Sequence, residues 1–269
     1  RGGVSIAQGR EPRTASARVV WTSFAPEGDL GAYALIAEPA RAANVAVTSV
    51  LDGAVGSLRE RLLHVVQDGD TITFSVSIVG LANPLEVIHQ GLTFQGPVTI
   101  QPQGAARTAI TFSANQITVQ GSVRFLNTTV SVGGESGTTG FRLLGNRFEG
   151  DSALFFEQDA DCEVRDNTFA ASPQNAQVIG TSFTENCAIA HNSFDTSVDA
   201  AIRDDESEGL VIDDNTANAD ISVAAKSGAV TNNDVPEIWV FPPGAGASAP
   251  LTISGNDVDL LFVKRSNVH

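Results

Sequence analysis

The side chains best equipped for chemistry in this chain lie between Arg203 and Lys226. Arg203-Asp204-Asp205-Glu206-Ser207-Glu208 is followed by Asp213-Asp214 and then Lys226, which puts six carboxylates and two cations within 24 residues. Paired carboxylates can act at a glycosidic bond, one as acid and the other as base or nucleophile. Such groups converge only if the chain folds back so that successive segments stack. The same composition also describes a solvated turn of an acidic protein, and that is the preferred reading. The histidines, His64, His89, His191 and His269, are scattered, and Cys162 and Cys187 have no histidine beside them, so no zinc site is expected. No phosphate loop, nucleophile elbow or EF-hand loop occurs, and no metal or cofactor is expected.

The elements that position these residues come from a repeat. Seven asparagines are each followed two residues later by an apolar or small residue: Asn127, Asn146, Asn167, Asn192, Asn215, Asn233 and Asn256, at spacings of 19, 21, 25, 23, 18 and 23 residues. Periods in this range indicate stacked coils. Five and three places before the last six asparagines stand Phe141 and Leu143, Cys162 and Val164, Cys187 and Ile189, Leu210 and Ile212, Gly228 and Val230, Leu251 and Ile253. Each pair lies on one face of a strand, because side chains alternate with a period of two. Stacking places each strand about 4.8 Å above its predecessor, so like residues meet. An inward asparagine can then bond to the one above and the one below, meeting a polar requirement that costs roughly 1–3 kcal/mol when left open. Exposed turns are the plainer home for asparagine, but the apolar flanks recur with it, which favours a ladder. Cys162 and Cys187 fall one above the other, either as a disulfide or as two buried thiols acting as small core residues.

This arrangement resembles the right-handed parallel β-helix, the pectate-lyase-like fold of secreted bacterial proteins, over about Val45 to the C-terminus. A second piece carries the resemblance: Gly56-Ser57-Leu58-Arg59-Glu60 through Gly69-Asp70-Thr71-Ile72 is similar to the capping helix and first strand of many such proteins, with Arg61 where alanine is usual. Ser57 is read as the N-cap, Glu60 as completing a capping box, and Leu58, Leu62, Leu63 and Val66 as one apolar stripe of a helix over about 57–67. The expected fold is therefore all-β, a right-handed parallel β-helix solenoid of about eight coils with a short N-terminal capping helix. The resemblance also implies a reading in which Arg203, Asp204, Asp205, Asp213, Asp214 and Lys226 act on an acidic polysaccharide, with Ca2+ as cofactor. The same fold carries purely structural proteins, so it does not fix an activity.

Charge narrows the partners. The chain carries a formal net charge of −15, which disfavours nucleic acid and anionic membranes. No stretch approaches the roughly 18–20 apolar residues of a membrane span. The start at Arg1 and the absence of methionine read as a processed precursor or a trimmed chain. Residues 1–44 differ in texture: Arg1, Arg10, Arg13 and Arg18 face only Glu11 within residues 1–20, a basic arm ahead of an acidic body, and Trp21 stands in an irregular segment before the solenoid. At the other end Leu260, Leu261 and Phe262 belong to an apolar run with no cap in sight. The expectation is an extracellular or cell-surface structural protein whose partner is itself, joined head to tail through the arm and the open last coil. The alternative is a polysaccharide lyase, a hydrolase or a glycan-binding module.

Overall fold

The computed structural model describes residues 42–133, 137–174, 177–242 and 250–264. Arg1, Arg10, Arg13, Arg18 and Trp21, named above as assembly contacts, lie outside the described residues.

Alternating apolar and polar residues in runs too short for helices make strands, and residues in the left-handed region end them. Asp161, Asp166, Asn186, His191, Asp214 and Asn232 all hold φ between 50° and 58°, a conformation that Asn, Asp and His adopt more readily than other side chains. The chain thus winds through strands that pair in parallel with those one coil away. A 10-stranded sheet forms the first face. The second and third faces form one 16-stranded sheet, continuous because Asp234–Val240 runs across both. Ten strands on the first face mean about nine turns, one more than expected. The coils before residue 120 carry no ladder asparagine and so escape a count based on that residue.

The core is a set of columns. On the first face Leu143, Val164, Ile189, Ile212 and Val230 stack in register and are fully buried. On the second face Phe125, Phe148, Phe169 and Phe194 pile with ring centroids 4.7–4.8 Å apart. Cys162 and Cys187, buried and separated by 25 residues, are joined by a disulfide on the first face. Gly228 lies beside Leu210 in the next coil, where a Cβ would come within 1.9 Å of the Leu210 carbonyl oxygen. Only glycine lets an 18-residue coil close this tightly.

The helix spans Leu58–His64, shorter than expected at both ends. Ser57 caps it by accepting from the Glu60 N–H at 3.2 Å. The Glu60 carboxylate accepts from the Gly56 N–H at 3.0 Å, because the Ser57 N–H is taken by the Ala54 carbonyl. Leu58, Leu62 and Val66 are buried, whereas Leu63 is 67% exposed and leaves the stripe. The helix stands where a coil would place its second and third strands. It is tied there by Arg59, which bonds Asp52 and the carbonyls of Asn83 and Pro84, and by His89, bonded to the Leu62 carbonyl. The opposite end differs. Asp257–Val263 pairs with Asp234–Val240 on one side, and Leu260, Leu261, Phe262 and Val263 are 40–53% exposed.

Candidate functional site

The asparagines that punctuate the sequence sit at the corner between the first and second faces. Asn146, Asn167, Asn192, Asn215 and Asn233 are buried. Each donates its backbone N–H to the side-chain oxygen of the next asparagine: Asn146 to Asn167 at 2.8 Å, Asn167 to Asn192, Asn192 to Asn215 and Asn215 to Asn233 at 3.0 Å, Asn233 to Asn256 at 2.9 Å. The amide hydrogens go to main-chain carbonyls, as Asn192 donates to Val164 and to Ala190, both at 2.9 Å. Every buried group in the column is therefore met by another group that the fold holds in place. Asn127 is not part of it. Arg124 and Arg147 are in register, so Val123, not Asn127, fills the asparagine slot of that coil, and its N–H donates to Asn146 at 3.0 Å. Asn127 turns the next corner at φ 49° and accepts from the Asp151 N–H.

A second interior polar column occupies the corner between the third and first faces. Thr138, Asp159, Thr184 and Ser207 are all buried there. Asp159 accepts from the hydroxyl and N–H of Thr138 and from the N–H of Glu157. Thr184 donates its hydroxyl to Ser207 at 2.8 Å. Burial pushes the Asp159 carboxyl up to about 6, against these bonds, and the nearby Glu157 charge pushes the same way. Sequence reasoning overlooked Asp159. The signal was available, because it stands three places before Cys162 just as Thr184 stands three before Cys187.

The carboxylates that opened the sequence reading do not converge. Asp204 points into the core of the third face, in register with Thr181, and takes that hydroxyl at 2.8 Å. Its other carboxyl oxygen has no partner among the described residues, and burial raises its pKa. Arg203 and Asp205 flank it on the exposed side of the same strand. Asp213 ends the following first-face strand, where bonds from Thr231 and Asn232 hold its carboxyl below the usual range. Asp214 is exposed at the turn and lies 2.7 Å from His191 Nδ1. Lys226 pairs with Glu206 at 3.5 Å on the far corner. These six residues divide among the interior, one face and two corners. No cluster of His, Cys, Asp and Glu fit to hold a metal is found among the described residues, and no described helix is long and apolar enough to cross a membrane.

The outer surface carries two other features. Arg124 and Arg147 share Glu149, whose carboxyl they hold below its usual range, chiefly through Arg124, and they border a groove of about 470 Å³. On the outer side of the last coils Trp239 packs on Phe262 at 4.7 Å and donates its indole N–H to Glu237. Asp220 stands beside that pair, its pKa raised first by burial and then by the Glu237 charge.

Fold and interior columns together define the class, an all-β parallel β-solenoid. Compared with known proteins, the chain matches no family model, no curated sequence and no solved structure.

Proposed function

We propose that this protein is a self-associating structural element, exported to the extracellular space or the cell surface, and that it belongs with the right-handed, pectate-lyase-like solenoids. The observation that carries this reading is the contrast between the ends. The helix buries Leu58 and Leu62 against the first coils, whereas the last coil leaves Leu260, Leu261, Phe262 and Val263 40–53% exposed beside an unpaired strand edge among the described residues. Edges of this kind pair with other strands unless they are covered. A strand from a second copy would fit such an edge.

Sedimentation velocity and negative-stain microscopy across a hundredfold range of concentration test the reading. Assemblies that grow with concentration, and that Leu261→Lys with Val263→Lys reduces to single chains of unchanged circular dichroism, are the expected result. An unaltered chain that stays single throughout the range would sink it. A second reading has one observation in its favour: the Trp239–Phe262 stack beside Glu237 and Asp220 offers an aromatic surface next to carboxylates, on which a glycan could lie. It requires binding or cleavage across a panel of polysaccharides, with and without calcium, that Trp239→Ala removes.

A further inference from the structure

The outermost residue at the start of each second-face strand forms a column whose register is fixed by backbone pairing. In order along the solenoid it runs Ile78, Thr99, Arg124, Arg147, Thr168, Ser193, Thr216, Asp234, Asp257. After the uncharged Ile78 and Thr99 come two cations, then three small hydroxyl residues, then two carboxylates. From Arg147 onward every member is exposed. No cation is paired with Asp234 or Asp257 among the described residues. The arginines share the single carboxylate of Glu149, which leaves a net positive charge at their end.

Read from the other end, the stretch from Arg124 to Asp257 presents the opposite charge at each of its four charged steps. A second copy laid face to face with its solenoid axis reversed, related by a two-fold axis beside Ser193, sets Arg147 opposite Asp234, Arg124 opposite Asp257 and Thr168 opposite Thr216. Both halves of the contact gain the same pairs, as an isologous interface requires. Copies aligned in the same direction would face like charges instead. That stretch spans about 29 Å at the strand spacing of a sheet, and its small central residues let two faces approach to the roughly 10 Å of packed sheets. Both neighbouring columns oppose the arrangement: Asp166 and Asp214, at the adjacent turns, would face each other, and Asp195, exposed two places beyond Ser193, would face its own copy, held on each side by a bond from Asn218. His191 lies between Asp166 and Asp214 along that turn column and touches Asp214 at 2.7 Å.

From this self-complementary order we infer that the second face is an antiparallel, two-fold contact with a second copy of this chain. The inference rests on the reading of the protein as self-associating, yet it names a side surface and not the open last coil. Sedimentation equilibrium of the intact chain at about 50 mM salt, where screening is weak, tests it. Arg124→Asp with Arg147→Asp, or Asp234→Arg with Asp257→Arg, should each weaken side-by-side pairing at least tenfold, and combining all four should restore it to within about threefold. Ser193→Cys should give a reducible species of twice the chain mass under mild oxidation. If both charge pairs leave association unchanged and Ser193→Cys does not cross-link, this contact is overturned while association through the last coil stands. If Leu261→Lys abolishes larger assemblies but paired rods persist, the two contacts are separate and the side contact is upheld. A chain that stays single at every concentration overturns both.

Discussion

The two interior polar columns run through the same solenoid and solve the same problem with opposite chemistry. At the corner between the first and second faces each residue is an amide, which donates and accepts in equal measure and carries no charge at any pH. Each asparagine therefore completes the one before it, and the column is satisfied from Asn146 to Asn233. At the corner between the third and first faces the column mixes Thr138, Asp159, Thr184 and Ser207. A carboxylate only accepts, and burying its charge is costly, so Asp159 is held up to about 6 even with three donors on it. Uniform residue type gives one corner pH-independent stability, and mixed type makes the other sensitive to protons.

The comparison breaks most visibly at the centre of the amide column. Asn192→Ala strips partners from the Asn167 main-chain and side-chain N–H groups, and should cost about 3–5 kcal/mol in urea unfolding at any pH from 5 to 8, from several buried donors and acceptors at roughly 1–3 kcal/mol each. The next effect is at Asp159. Its folded pKa of about 6 lies above the 3.8 of the free carboxyl, so the proton favours the fold. Stability should rise as pH falls through about 6 towards 4, by on the order of 3 kcal/mol. Asp159→Asn should flatten that rise and raise stability at pH 8; an unchanged slope would show that the proton is taken up elsewhere. Asp204→Asn keeps an acceptor for Thr181 while removing a buried carboxyl whose pKa burial raises, and should raise the melting temperature by a few degrees at pH 8 and by less as the pH falls. The smallest change is Thr184→Val, where losing a single neutral bond to Ser207 should cost about 1 kcal/mol without altering the pH dependence.

The amide column was legible in the sequence because its members are identical and their apolar neighbours recur at fixed offsets. Its first member was misplaced, because Asn127 is also followed by two threonines and lies a plausible 19 residues before Asn146. Local spacing cannot distinguish successive corners of one coil. Only the pairing of Arg124 with Arg147 shows that Val123 holds the slot. Asp204 was read with its acidic neighbours as a polar turn, but alternation from the buried Ile202 places it inside and leaves Arg203 and Asp205 outside. There composition masked a period that was present. The charge order from Arg147 to Asp257 lay in the repeat as well, since each of these residues directly follows a ladder asparagine; only Arg124, after Val123, needed the strand register to be placed.

The amide column also says something about what this architecture can become. Each asparagine needs only an asparagine at the matching place one coil further on, and coils of 18 to 25 residues meet that need equally well. Removing one whole coil, from Asn192 through Asp214, would bring Asn215 over Asn167 with the bonding scheme intact. Length in this protein is thus open to gain or loss in whole units, by duplication or excision within a gene, while the interior that a cell must fold stays chemically the same. A ruler of this kind can be recut without being redesigned.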